Sequence, residues 1–425
     1  MSEQGAGDRS GVACSASHGW GDALVTVLAG LVAMAVTASL GLWAAGASGL
    51  PDGAFPHVVA AVVVMAAGGT VDLAGDAGDL ARTHADLSAW PLSVTLAGTL
   101  VIAAGFLRPL RHRAVAGTRE LAGWAARVAT LWALVLIGLS LLARRTFAVT
   151  VGGPTGTVIG DVLDASPRVG FRADVLLTLV LGLIWLAGVL VLALLVSRAA
   201  PLPARLVRFQ EPVRPAAYAM VALLLAYVVL GLVVGLVAAA TRGHPAETFA
   251  VILLGLPNLV WLSCTLGLGA SWEGKADGPF ALPVPQVLDS VLRTPDISTL
   301  DVTTLAEADA RSWWLVVVAA ALTLSAAFLM AIRSPARMPP RQHAVHMAVA
   351  LVLTVLTICL TARISAHYGL SLLGIGDMDG GLGGEVILRP HLGSALALAA
   401  LWGLVTGFLG SLLASRVLRR GEVPG

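Results

Sequence analysis

Ionisable side chains are scarce in the long apolar stretches of this sequence, and the exceptions lie near the ends of those stretches. Asp72, Asp76 and Asp79 follow a short apolar segment at spacings of four and three residues. On a continuous helix the three carboxylates would share one face, which suits a bound cation. Gly75 and Gly78 interrupt the run, and glycine is unfavourable inside a helix. A solvated loop is therefore the alternative interpretation.

Asn258 is the second polar position, and it follows Pro257 inside an otherwise apolar segment. Proline removes one backbone donor and bends a helix, so a carbonyl group loses its usual partner. The asparagine side chain could then line a polar path through the membrane. Alternatively, it could form an interhelical hydrogen bond that serves packing alone. The candidate polar or substrate pathway consists of four residues: Asp72, Asp76, Asp79 and Asn258.

Patterns that would indicate an enzyme or a metal site are missing from the sequence. It contains no HExxH, no GxSxG and no phosphate-binding GxxxxGK[ST] motif. Asp377, Asp379 and Glu385 resemble part of a calcium loop, but the full ligand pattern is not present. The three cysteines have neither CxxC nor Cys/His ligand spacing. We therefore predict no catalytic residue, no metal ion, no cofactor and no enzymatic activity.

The composition predicts that the lipid bilayer is the main partner of the chain. Of its 425 residues 57% are hydrophobic and only 12% are charged, and the mean hydropathy is +0.86. Soluble domains carry roughly 25% charged residues, so this chain has too little charge to coat a soluble surface. The net charge of +2 does not indicate the basic surface that a nucleic-acid-binding protein needs. Protein partners are not readable from composition.

Ten apolar segments predict an all-α, polytopic transmembrane helix bundle of eight to ten spans. Most are long enough to cross a bilayer, which takes roughly 20 helical residues. Helix is the expected conformation, because backbone groups in lipid must be satisfied within the segment. The segments are 23–45, 57–71, 90–107, 121–143, 174–197, 215–240, 247–271, 312–332, 343–364 and 392–415.

The connecting loops fall into two classes that differ in charge. One class is short and rich in arginine, and the positive-inside rule predicts that it is cytoplasmic. The other class is acidic or glycine-rich, and its acidic loop at 272–311 is then non-cytoplasmic. We expect a multi-pass protein of a bacterial cytoplasmic membrane. The arginine-rich runs contain Arg108, Arg111, Arg113 and Arg119; Arg198, Arg205, Arg208 and Arg214; Arg333, Arg337 and Arg341; and Arg416, Arg419 and Arg420.

The order of these features repeats, which predicts a tandem duplication of a four-to-five-segment unit. One span ends in FLRPLRHR and its counterpart in AIRSPARMPPR. Later in each copy a tryptophan, Trp185 or Trp402, precedes LLVSR or LLASR at nearly equal spacing. The predicted organisation is a polar, disordered tail at 1–22, one repeat at 23–211, a second at 212–420 and a short tail at 421–425.

If the chain is a duplication, the number of spans in each repeat decides whether the two repeats are inverted or parallel in the membrane. Five spans per repeat would invert the two repeats and would place equivalent arginine-rich loops on opposite faces. Four spans per repeat would keep them parallel, with all arginine-rich loops on one face. Segments 57–71 and 247–271 are the best candidates for non-spanning segments, because one is short and the other contains Pro257. We favour eight full spans over ten.

Three apolar phrases in the first repeat resemble the streptophobe family, which consists of hydrophobic multi-pass membrane proteins of Streptomyces and relatives. The phrases are LVAMAVTASLGLWAAGA, VVAAVVVMAAGGTVDLAG and WPLSVTLAGTLV. The resemblance covers most of the chain. The family is also similar to this chain in length and in its arginine-dominated loops. It implies a membrane location and an actinobacterial origin. It brings no biochemical function and no site residues with it.

Two functional hypotheses remain for a multi-pass protein of this kind. A permease-like or channel-like module should have a polar cavity at the interface of the repeats, near Asn258 and the 72–79 stretch. A non-transporting scaffold or accessory subunit should have a dry core packed by leucine and valine. The structure must distinguish between them.

Overall fold

A computed structural model describes most residues of the chain. They are 19–50, 53–76, 81–112, 118–148, 168–197, 204–241, 243–276, 291–292, 297–335, 338–372 and 384–416. Their helices are α1 (Trp20–Ala44), α2 (Phe55–Ala66), α3 (Leu92–Leu107), α4 (Thr118–Leu142), α5 (Val175–Val196), α6 (Ala204–Thr241), α7 (Pro245–Gly267), α8 (Val302–Ala308), α9 (Trp314–Arg333), α10 (Pro340–Thr361) and α11 (Leu392–Ala414). The predicted helical membrane bundle is confirmed.

The loops at one end of the bundle also form an antiparallel sheet, which the sequence analysis did not predict. Its strands are β1 (Val71–Asp76), β2 (Ala81–Ser88), β3 (Arg144–Ala148), β4 (Arg168–Ala173), β5 (Trp272–Ala276), β6 (Ser298–Leu300), β7 (Ile364–Leu372) and β8 (Gly384–Pro390). The order across the sheet is β3-β4-β1-β2-β7-β8-β5-β6. We call this end of the bundle the sheet face.

The strand order agrees with the predicted duplication, because each half of the chain contributes four strands in the same order. The first half contains α1–α5 and β1–β4, and the second contains α6–α11 and β5–β8. The first half supplies β3-β4-β1-β2 and the second supplies β7-β8-β5-β6. The registers also correspond. Val71 pairs with Leu87 and Ala173, and Trp272 pairs in the same way with Leu300 and Pro390.

The turn before each first strand is duplicated as well. Gly68 follows α2 with φ 95°, and Gly269 follows α7 with φ 90°. This left-handed conformation closes a helix C-terminus and is nearly free of strain only for glycine. The backbone hydrogen bonds of Gly69 to Val64 and of Ala270 to Thr265 are both 3.0 Å long. The two halves therefore leave the bundle for the sheet by the same local structure.

The connections to the sheet fix the direction of most helices. α3 and α5 begin where β2 and β4 end, and α4 ends where β3 begins. α1 runs antiparallel to α3, since Gly98 lies against Met34 and Gly105 against Thr26. In the second half α9, α10 and α11 repeat this arrangement, and the first turns of α9 follow β6 and α8.

Helix α2 does not cross the bundle, because contacts near both of its ends involve the sheet face. Near its start, the Nδ1 atom of His57 lies 2.7 Å from the carbonyl oxygen of Leu142, the last residue of α4. At its end, the hydroxyl of Thr95 in the first turn of α3 donates to the carbonyl of Ala66 at 2.7 Å. A helix of 12 residues is also too short, at roughly 18 Å.

Contacts along α7 indicate a similar course. Ile252 accepts a hydrogen bond from Ser93 at the start of α3, and Gly267 lies against Leu315 and Ala319 in the first turns of α9. These contacts are separated by 15 residues of α7, yet all of them are at the sheet face. The stretch from Ile252 to Gly267 therefore begins and ends at the sheet face and links the two halves. Between these points it packs antiparallel to α6, since Gly235 lies against Ile252 and the indole N–H of Trp261 donates to the carbonyl of Leu224.

Among the described residues, eight helices thus pass from the sheet face to the opposite end of the bundle, four in each half. Eight helices are long and apolar enough to cross a membrane, a set that includes α7 and omits α3 because α3 has only 16 residues. α3 nevertheless passes from the sheet at one end to the 3-10 helix Pro109–His112 at the other, whereas α7 contacts the starts of α3 and α9, both at the sheet face. By the contacts, the crossing helices are α1, α3, α4, α5, α6, α9, α10 and α11.

All the helix ends that border arginine-rich runs then lie opposite the sheet face. They are the ends of α3, α5, α9 and α11 and the starts of α4, α6 and α10. We call this the arginine end of the bundle. The arrangement agrees with the parallel form of the duplication, in which no half is inverted.

Two predicted boundaries fall inside described helices. α1 begins at Trp20, so the last residues of the predicted 1–22 tail are helical, while residues 1–18 and 421–425 lie outside the described residues. The predicted boundary at 211/212 falls inside α6, a helix of 38 residues. Such a helix is about 57 Å long and exceeds the bilayer core of about 30 Å. Apolar length in sequence does not reveal where a helix continues beyond the lipid.

Each half has its own apolar core. The first is built around the fully buried side chains of Trp124, Trp132 and Phe106, and the second around Trp272, Met330 and Leu351. Small residues allow close helix packing, as where Gly403 of α11 lies against the backbone of Ala348.

The parallel arrangement predicts that Thr299 in β6 and Gln342 at the start of α10 lie on opposite sides of the membrane. Both are exposed, so of two single cysteines placed there, in a Cys14→Ser background, only one should react with a membrane-impermeant thiol reagent in intact cells. The other should react only after the membrane is permeabilised. Labelling of both positions from the same side would contradict the arrangement. The remaining cysteines, Cys264 and Cys359, are buried.

Candidate functional site

Asn258 joins the two halves of the protein by capping a helix of the other half. Its Nδ2 atom donates to the carbonyl of Trp90 at 2.9 Å, and its Oδ1 atom accepts from the N–H of Leu92 at 3.2 Å. Leu92 is the first residue of α3, whose first N–H groups have no partner within the helix. The asparagine side chain therefore satisfies groups at the N-terminus of α3, and both of its polar atoms are engaged.

Ser93 completes the contact by entering the backbone of α7. In a regular helix the N–H of Leu256 would donate to the carbonyl of Ile252. Here the hydroxyl of Ser93 stands between them, accepting from Leu256 at 3.1 Å and donating to Ile252 at 2.8 Å. The next residue is Pro257, which has no N–H and opens the helix at this point. The Ser93 hydroxyl of the first half thus provides hydrogen-bond partners for two backbone groups of α7 in the second half.

His57 occupies the position in the first half that Asn258 occupies in the second. When the two duplicated turns are aligned, corresponding residues differ by 201 positions, as Gly68 and Gly269 do. Pro56-His57 then corresponds to Pro257-Asn258. The His57 Nδ1 atom is 2.7 Å from the carbonyl of Leu142, and Nε2 is 2.6 Å from Nη1 of Arg145. Because the carbonyl accepts, Nδ1 carries the hydrogen and Nε2 accepts from the guanidinium. Each Pro-polar pair therefore satisfies the end of a neighbouring helix.

The predicted carboxylates are not arranged on a helix. Asp72 and Asp76 lie in strand β1, and Asp79 lies outside the described residues. Asp72 is exposed, and its partners in register are Asp86 and Arg172. Glycines and polar residues after α2 favour an extended turn into the sheet over continued helix, which is why the helical alternative fails.

The counterpart of Asp72 in the second half is Glu273, which lies beside a histidine. The Oε1 atom of Glu273 is 3.2 Å from Nε2 of His391, the residue before α11, and both side chains are about half exposed. This pair borders a shallow depression lined by Ser271 and residues 390–394. The acidic positions of the two halves therefore belong to the sheet face, whereas Asn258 belongs to the contact between helices.

Polar groups inside the described spans are mostly hydroxyls bonded to their own helix. The hydroxyls of Thr99, Thr323 and Thr406, for example, donate to carbonyls four residues earlier. Among the described residues of the spans, His343 is the one histidine, acidic or basic residue that is fully buried. Within the described part of the chain no group of three or more potential metal ligands is found, and Asp377 and Asp379 lie outside it.

Sequence reasoning identified Asn258 but missed three residues that share its role. His57 could have been found by aligning the two Pro-polar pairs, because they occupy equivalent positions before equivalent turns. Ser93 carried no signal, since serines are common in these spans and its partner is 159 residues away. Arg145 carried no signal either, because its partner His57 is 88 residues away.

Comparisons of the chain with protein-family models, with curated proteins and with solved structures find no match.

Replacing Asn258 should weaken the contact between the halves. Asn258→Ala removes the cap of α3, and loss of such a cap costs about 1 kcal/mol, with a range of roughly 0.5–2 kcal/mol. We expect a lower free energy of unfolding in bicelles and faster hydrogen exchange at the Leu92 amide.

Ser263→Ala is the matched control in the same helix, because the Ser263 hydroxyl donates to the carbonyl of Leu259 within α7. It should change the free energy of unfolding by much less. Equal losses for both variants, with unchanged exchange at Leu92, would show that Asn258 does not cap α3.

Proposed function

We propose that the protein is a non-transporting membrane scaffold or accessory subunit, whose eight crossing helices support a sheet that binds partners. The observation that carries this proposal is the pairing of β2 with β7, which runs from Ala81 opposite Leu372 to Ser88 opposite Ser365. It joins the two halves by main-chain hydrogen bonds outside the lipid.

The β2–β7 pairing opposes the motion that a transporter built from repeats requires. Alternating access is largely a rocking of one repeat against the other around a central site. Opening the halves toward the sheet face would separate β2 from β7 and expose the main-chain groups of both strands. The contact of Ser93 and Asn258 with α7 adds a second connection at the same face.

The candidate polar pathway also supports a scaffold better than a permease. Both polar atoms of Asn258 are bonded to the start of α3, so the side chain is not available to a substrate. Asp72 lies exposed on the sheet. The cores of both halves are clusters of apolar side chains, as the scaffold hypothesis requires.

The proposal includes an orientation and a location. The arginine end faces the cytoplasm by the positive-inside rule, so the sheet face is on the outer side of a bacterial cytoplasmic membrane. The protein has no enzymatic activity of its own in this proposal. The resemblance of its apolar phrases to the streptophobe family supports an actinobacterial lineage.

Distances between the halves, measured by pulsed electron paramagnetic resonance in liposomes, separate the two functions. One spin-label pair replaces Arg172 and Arg389, which are exposed at equivalent positions of β4 and β8. The other replaces Arg119 and Gln342, which are exposed at the starts of α4 and α10. A scaffold should give one narrow distance distribution for each pair.

A permease should give two populations that change in opposite directions, one pair lengthening while the other shortens. Labels at Arg119 and Arg172 provide the control, because both lie in the first half and their distance should stay constant under either hypothesis. Opposed bimodal distributions in the two test pairs, with this control unimodal, would overturn the scaffold proposal.

A further inference from the structure

A narrow groove separates the first half from the second within the membrane region. It has a volume of about 370 Å³ and lies between α5, α6 and α10. All but three of its lining residues are apolar, and two of these three are Thr354 and Thr357. Their hydroxyls donate to carbonyls of α10 itself at 2.8 Å. The groove thus offers its occupant an almost wholly apolar wall.

The groove is elongated along the helix axes. Its lining extends from Val213 to Leu224 on α6 and from His346 to Thr357 on α10. Eleven residue steps on each helix correspond to about 16 Å. One end of the groove lies toward the arginine end of the bundle, and the other, at Thr357, lies four residues before the end of α10 at the sheet face. This shape suits one extended hydrocarbon chain.

The groove is open to the bilayer from the side. Leu192, Val349 and Leu353 line it and are 41%, 55% and 57% exposed. These residues lie on crossing helices, so the medium that reaches them is lipid and not water. Burying a methylene group of a lipid contributes about 0.8 kcal/mol, and an apolar groove of this kind has no competing hydration.

The positive charge near the arginine end of the groove favours a lipid with an anionic headgroup. Residues 197–214 and 333–345, which flank it in sequence, contain seven arginines and one glutamate. Arg341 is exposed in the first turn of α10, five residues before His346. Guanidinium groups bind phosphate oxygens in a bidentate manner, and basic pockets between transmembrane helices bind anionic lipid headgroups.

We propose that this groove binds one acyl chain of an anionic phospholipid, whose phosphate is held at the arginine end by Arg341. The bound lipid fills the space between α5 of the first half and α6 and α10 of the second. It therefore acts as a third connection between the halves, with its headgroup at the end of the bundle opposite the sheet. This site is separate from the sheet and does not depend on the scaffold proposal.

Native mass spectrometry of the full-length protein, released from nanodiscs of phosphatidylcholine and phosphatidylglycerol, tests the site. We expect about one retained phosphatidylglycerol per protein. The double variant Ala217→Leu, Ala350→Leu adds bulk to two walls of the groove and should abolish that retention. Ala321→Leu, at an exposed position of α9, is the matched control and should leave the retention unchanged.

The headgroup is tested separately with Arg341→Gln, which should reduce the preference for phosphatidylglycerol over phosphatidylcholine at least several-fold. Arg119→Gln, an exposed position at the start of α4, should keep that preference. Unchanged lipid retention in the groove-filling variant would overturn the site. So would a dimer that this variant converts to monomers, because a second copy would then be the occupant. Equal retention of both lipids by the unaltered protein would overturn the anionic headgroup.

Discussion

The pairing of β2 with β7 is the constraint on which the arrangement of the two halves depends. Helices in lipid gain little from the hydrophobic effect when they associate, so packing and hydrogen bonds must position them. β2 leads into α3 and β7 follows α10, so the register of these strands fixes two crossing helices relative to each other. The other strands extend the same sheet outward on both sides and link the remaining loops of the sheet face.

The duplicated Pro-polar pair shows how one local structure was adapted to two neighbours. Pro56-His57 begins α2 and satisfies the C-terminus of α4, whereas Pro257-Asn258 lies inside the longer α7 and satisfies the N-terminus of α3. In both cases a polar side chain meets backbone groups that a helix end leaves without partners. Because α7 is longer and reaches the first half, the pair that contains Asn258 connects the two halves.

The sequence predicted the helices well because the length and apolarity of a span are local properties. It also predicted the duplication and the parallel arrangement, through the order of loops and the position of arginines. The sheet was missed because its strands are short, lie in polar and glycine-rich loops, and pair with residues far away in sequence, as Ala85 does with Tyr368. For the same reason the carboxylates at 72 and 76 were considered on a helix. Asn258 was identified from its apolar surroundings, but only its contacts distinguish a cap from a pathway.

A disulfide across β2 and β7 tests the central claim most directly. Ala85 and Tyr368 are partners in register, so Ala85→Cys with Tyr368→Cys should form a bond whose Cα separation is about 4.4–6.8 Å. With a protease site inserted between α5 and α6 and cut after purification, the two halves should stay linked on a non-reducing gel and separate on reduction. Ala85→Cys with Ala366→Cys, displaced by two residues, should link poorly. Equal linkage of both pairs, or of neither, would contradict the account.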